Sequence, residues 1–162
     1  MFDAELTNLA TDLLTKCREK GIRLATVESC TGGLVAALLT DIAGSSDVFD
    51  RGFVTYSNDA KTALVGVPTG LITEHGSVSR DVAVAMAEGG LARSKATLVV
   101  AITGVAGPGG GTSLKPVGLV HFALAAQGKE TVHQRCQFGE IGRQSVRQAS
   151  IHQALDMFEA AL

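Results

Sequence analysis

A chain of 162 residues, 46% hydrophobic and 19% charged, with 19 glycines and three prolines, has the length and composition of one globular α/β domain, which excludes a disordered tail. A formal net charge of −2, with no cluster of lysine or arginine, lacks the electrostatic footprint of a nucleic-acid binder, so no nucleic-acid partner is expected. The N-terminal stretch MFDAELTNLATDLLTKCREKG carries acids where a signal peptide carries bases, and no apolar run approaches the ~18 residues of a membrane span, so a cytoplasmic protein without a membrane partner is expected.

In chain order, Phe2, Leu6, Leu9, Leu13 and Cys17 form the stripe of an amphipathic helix that Gly21 stops. Ile22 to Val27 reads as a strand, and a helix is predicted from about Thr31 to Ile42, ended by Ala43-Gly44-Ser45-Ser46. Gly52 to Tyr56 is a short β-prone run. Asn58 to Val65 reads as a helix capped by Ser57 or Asn58, succeeded by a turn-rich break at Gly66-Val67-Pro68. Ser79 caps a buried helix that ends near Ser94. Thr97 to Thr103, TLVVAIT, suits a central strand buried on both faces. Gly104 to Pro116 is irregular. GLVHFALA and ETVHQRCQF flank Ala126-Gln127-Gly128-Lys129 as a hairpin, and Arg143 to Leu162 carries a final helical face with Arg143 and Arg147 one turn apart. The fold class is α/β: a single domain over residues 1–162, with a mixed, mainly parallel sheet covered by helices.

Chemistry is concentrated in two stretches. VESCTGG, residues 27–33, lies where a strand passes into a helix, the place at which α/β proteins hold ligands and free N–H groups favour an oxyanion. Either Ser29 is a nucleophile there, or Ser29 or Thr31 merely caps the helix; the local pattern allows both. A serine nucleophile needs a base. None of His75, His121, His133 and His152 stands in a motif that pairs it with a carboxylate, whereas Lys61, near Val54, Ala60, Leu64 and Val65, becomes a base if burial strips its proton. Backbone N–H groups of Cys30, Thr31 and Gly32 are the oxyanion candidates. Cys30 offers a second nucleophile, its thiol activated at a helix start. The other stretch, Ala101 to Gly118, places Gly104, Gly107, Gly109, Gly110 and Gly111 between a buried strand and Pro116, so that a backbone wraps phosphate closely without Walker or GxGxxG spacing. Arg143 and Arg147 are the side chains for phosphate and ribose. Cys17, Cys30 and Cys136 are too widely spaced for a disulfide framework or zinc site, and neither a metal nor another cofactor is expected.

ESCTGG at 28–33, DIAGSS at 41–46, RGFVTYSNDAK at 51–61, Gly76-Ser77-Val78-Ser79 and TGVAGPGGGTSLKPVG at 103–118 together resemble the CinA C-terminal domain family, the nicotinamide mononucleotide (NMN) deamidases. The resemblance implies a three-layer α/β/α sandwich and hydrolysis of NMN to nicotinate mononucleotide and ammonia in pyridine nucleotide recycling. It implies Ser29 as nucleophile, Lys61 as general base, and Tyr56 and Thr103 as further site residues. It also implies Arg143 as the basic residue at the start of the last helix, and Ser45 of DIAGSS on the substrate side. Many relatives carry an additional N-terminal domain with nucleotide pyrophosphatase activity, which is not expected of these 162 residues. A homodimer or other homo-oligomer is compatible with the resemblance. The competing function is a non-catalytic nucleotide- or partner-binding module linked to competence or the response to DNA damage.

Overall fold

A computed structural model of the chain describes residues 2–162. The first helix, α1 (Ala4–Lys20), is capped by the Asp3 side chain, which accepts from the Leu6 N–H, and it ends at Gly21 with φ of 65°, where glycine adopts the left-handed region without penalty. It leads into β1 (Leu24–Glu28), a turn, and α2 (Leu34–Asp41), which starts three residues later than its sequence suggests. A single 3-10 turn, Ser45–Asp47, precedes β2 (Phe49–Val54). Then come α3 (Asn58–Val65), α4 (Thr69–His75) and α5 (Arg80–Ala92), of which α3 and α5 are capped by Ser57 and Ser79. The chain finishes with β3 (Leu98–Gly104), β4 (Leu119–Ala126), β5 (Val132–Gln137) and α6 (Arg143–Ala160).

The sequence pattern does not announce α4. It has seven residues, one of them glycine, and buries only Ile72, too little for an apolar period to register.

The five strands form one mixed sheet in the order β2-β1-β3-β4-β5. Strand β1 runs parallel to both neighbours, β2 and β3, while β3–β4 and β4–β5 are antiparallel. Alternation along the central strands divides the core. Leu24, Val100, Ile102, Phe122 and Leu124 face the layer that contains α1, α2 and α6. Ala25, Val27, Val99, Ala101, Ala123 and Ala125 face α5 and its neighbours. Small residues on the second face let α5 approach closely. A Cβ on Gly90 would collide with Val27, and one on Gly89 with the Val65 carbonyl. Each fully buried Leu or Phe on the first face contributes roughly 1.5–3 kcal/mol. Among the described residues, no helix is long and apolar enough to cross a membrane.

Because β2, β1 and β3 are parallel, their carboxyl ends lie at one edge of the sheet, and the chain leaves them as Thr55-Tyr56, Ser29-Cys30 and Val105-Ala106. That edge holds the candidate site.

Candidate active site

The turn after β1 is built by a carboxylate. Glu28 is fully buried, and its oxygens accept from the N–H groups of Gly33 (3.0 Å), Val35 (3.1 Å) and Ala36 (2.9 Å). Neither Ser29 nor Thr31 caps α2; Glu28 does so from the end of the strand, where its charge suits the positive end of the helix. Gly32 and Gly33, with φ of 61° and 96°, make the turn that allows this. The hydroxyl of Ser29 is thereby left free of capping duty.

Ser29 donates its N–H to the Ile102 carbonyl across the sheet at 2.9 Å, which fixes the residue between β1 and β3. Lys61, on the first turn of α3, is only 1% exposed. Its Nζ lies 3.1 Å from Ser29 Oγ and 3.0 Å from the Thr55 carbonyl oxygen. Both partners are neutral oxygens. Burial lowers the pKa of Lys61 below that of free lysine, and the only opposing influence is negative charge on Cys30. That charge is not there near neutral pH. Burial, reinforced by the nearby Glu28 carboxylate, pushes the Cys30 thiol up to about 12. Cys30, 6% exposed, is therefore a protonated thiol, the opposite of the activated cysteine that a helix start suggests. Cys30→Ala is expected to keep at least about a third of wild-type turnover, since a neutral buried thiol supplies no nucleophile at neutral pH. A steady-state rate for the purified variant checks this, and loss of turnover with the fold intact would restore the thiol as a candidate.

The cleft above this pair has a volume of about 260 Å³ and is lined by seven residues that the sequence singles out, Ser29, Cys30, Tyr56, Lys61, Thr103, Gly104 and Arg143, together with Asn58, Ser77, Val78 and Ala106. The sequence marks Asn58 only as a possible cap. Ser77 comes just after the turn that ends α4, and its carbonyl accepts from Thr103 Oγ1 at 2.7 Å, a pairing of residues 26 positions apart that no local pattern reveals. Tyr56 is 60% exposed and stands at the mouth, where its hydroxyl accepts from Arg143 Nη2 at 3.1 Å. Arg143 Nη1 donates to the Gly107 carbonyl at 3.0 Å. One guanidinium thus joins the start of α6, the glycine loop and the tyrosine.

Several expectations are corrected. Gly32 is no oxyanion donor, because its N–H is spent on the Ser29 carbonyl at 3.0 Å. Among the described residues the N–H groups of Cys30 and Thr31 donate to no backbone carbonyl; Cys30 lines the cleft, whereas Thr31 is fully buried and does not. Gly109 and Gly110 line a separate hollow beside Pro108 and Glu140, and Gly107 meets the cleft only through its carbonyl bond to Arg143. Arg147 does not line the cleft either; its Nη2 donates to the Thr31 carbonyl at 3.0 Å. Ser45 is buried at the opposite end of the sheet. The Val48 carbonyl, one turn on, accepts from the N–H of Leu24 at the start of β1. The five residues of β1, about 16 Å of strand at about 3.3 Å per residue, separate that end from Ser29.

Fold and cleft together define a three-layer α/β enzyme domain with a hydroxyl–amine pair at the carboxyl end of its parallel strands. The chain belongs to the CinA C-terminal domain family, whose sequence pattern matches residues 6–162. It is 46% identical over 156 residues to an Escherichia coli protein named nicotinamide-nucleotide amidohydrolase PncC, and the match covers 96% of this chain and 93% of that one. A CinA-like protein of Geobacter sulfurreducens is 49% identical over 145 residues, 90% of this chain, but the match is only 35% of that longer relative. Among solved structures, the competence/damage inducible protein CihA from Agrobacterium tumefaciens superposes with a TM-score of 0.96 at 49% identity, covering 99% of this chain and 97% of that one.

Proposed function

We propose that the protein is a nicotinamide-nucleotide amidase that hydrolyses NMN to nicotinate mononucleotide and ammonia, with Ser29 as nucleophile and Lys61 as general base, in pyridine nucleotide recycling. The observation that carries this reading is the 3.1 Å contact between Ser29 Oγ and a buried lysine amine. The likeness to PncC supplies the substrate class.

With Lys61 neutral, the Ser29 hydroxyl donates to the amine lone pair through that contact. As Oγ attacks the carboxamide carbon of NMN, its proton passes to Nζ and the carbonyl oxygen becomes an oxyanion, to which the Cys30 N–H donates. The Lys61 ammonium then gives its proton to the departing nitrogen. The C–N bond breaks and ammonia leaves. Water, deprotonated by the same amine, attacks the acyl-enzyme, and Ser29 recovers its proton as nicotinate mononucleotide forms. The Thr55 carbonyl keeps Nζ aimed at Ser29 throughout. Arg143, held by Gly107 and Tyr56, offers the guanidinium for the phosphate, and Thr103 and Gly104 form the wall of the cleft.

Purified protein incubated with NMN is expected to release ammonia and nicotinate mononucleotide in equal amounts, measured by an enzymatic ammonia assay and chromatography of the nucleotides. Binding of NMN without ammonia release would sink the amidase reading and favour the non-catalytic module.

A further inference from the structure

The mechanism leaves Arg147 without a part, yet the fold holds it in one defined place. It projects from the second turn of α6, and its Nη2 donates to the Thr31 carbonyl at 3.0 Å, across 116 positions of sequence. Its Nε is buried without a partner, as is Thr31 Oγ1 beside it. No carboxylate forms an ion pair with it among the described residues. Arg147 is half-buried, and a guanidinium whose Nε is shut away from water without a partner is a cost to folding that calls for a reason.

The peptide groups on the far side of that carbonyl supply the reason. The Thr31 C=O and the Gly32 N–H belong to one peptide group, and the Gly32 N–H donates to the Ser29 carbonyl at 3.0 Å. The Ser29 C=O and the Cys30 N–H belong to the next group in the chain of bonds, and the Cys30 N–H, which donates to no backbone carbonyl, belongs to a residue that lines the cleft. Arg147 thus heads a relay of two peptide dipoles, aligned from its guanidinium to the Cys30 N–H, and hydrogen bonds in such a chain polarise one another.

Building on the proposed amidase chemistry, we infer that Arg147 is a positioning residue that holds the nucleophile turn and polarises its oxyanion donor through the Thr31–Gly32 and Ser29–Cys30 peptides. It acts on the rate of attack by Ser29, not on the binding of substrate phosphate. Arg143, one turn earlier, is the residue that reaches the cleft.

Two measurements on wild type, Arg147→Met, Arg147→Lys and Arg147→Gln test this. One is kcat and KM with NMN. The other is the rate at which a small uncharged fluorophosphonate labels Ser29, a reaction in which the Oγ–P bond forms, the P–F bond breaks, fluoride leaves and the serine proton goes to Lys61. The probe carries no ribose phosphate, so it reports the nucleophile turn alone. Arg147→Met is expected to lose about 10- to 100-fold in both kcat and labelling rate, the range for a misplaced or weakened oxyanion donor, with KM changed less than about threefold. Arg147→Lys, which keeps charge and one donor, is expected to recover most of the loss. A raised KM with labelling unchanged would make Arg147 a substrate ligand and overturn the inference, as would wild-type values of both rates. If Arg147→Met does not fold, Arg147→Gln decides: a neutral donor that labels as fast as the arginine overturns the relay. If NMN is not hydrolysed by wild type, the amidase reading falls, while the ratio of labelling rates still judges Arg147.

Discussion

Ser29→Ala is expected to lower ammonia release from NMN by about 10⁴-fold or more, the scale on which hydrolases lose rate when their nucleophile is removed. The fold should not suffer. Ser29 is 8% exposed, its backbone bond to the Ile102 carbonyl does not involve the hydroxyl, and Lys61 retains the Thr55 carbonyl as partner. Binding of NMN, measured by calorimetry, should stay within a few-fold of wild type, because the groups assigned to the rest of the substrate are untouched. Ammonia release by Ser29→Ala at the wild-type rate would end the serine mechanism.

The second large effect is expected at Lys61. Only the neutral amine accepts the serine proton, and burial lowers the pKa of Lys61 from its ordinary 10.5. Below the lowered pKa the amine is charged and the rate falls with falling pH, whereas above it the rate levels off. The acidic limb of kcat against pH should therefore report a group below 10.5 that is absent from the profile of Lys61 variants. Lys61→Ala should lose about 10²- to 10⁴-fold in turnover, the usual contribution of a general base. Lys61→Arg should do no better, since a guanidinium does not release its proton and does not fit a pocket shaped for an amine between Thr55 and Ser29. A buried lysine is also a burden on stability. Lys61→Met is expected to unfold at or above the wild-type temperature at neutral pH, which separates loss of chemistry from loss of fold. Near-normal turnover by Lys61→Arg would remove the residue from the mechanism.

How far the site is legible in the sequence differs from residue to residue. Lys61 is identifiable because it stands on the first turn of a helix whose cap, Ser57, and apolar neighbours are all local. Its burial to 1% exposure is not, since this depends on the turn after β1 and the end of β2 closing over it. Thr31 has the look of a helix cap because its type and position fit one. Glu28 takes the task because a buried carboxylate at the end of a strand answers three free N–H groups at once. Ser45 ends a helix by its local pattern and is put on the substrate side only by the family motif DIAGSS, yet it lies at the far end of β1 because a strand carries the chain across the whole sheet.

The amino-acid order by itself determined the helices with strong apolar stripes, the caps at Ser57 and Ser79, the two-faced central strand β3, the hairpin, and the serine and lysine as candidates, because each is set by neighbours within a few positions. Only the tertiary structure decided that Cys30 is a protonated thiol, that Gly32 spends its N–H internally, that Thr103 pairs with Ser77, and that Arg147 reaches Thr31. Desolvation and hydrogen-bond partnership between distant segments are properties of the packed chain: a donor is free or occupied, and a charge costly or cheap, only once the sheet and both helix layers have closed around it.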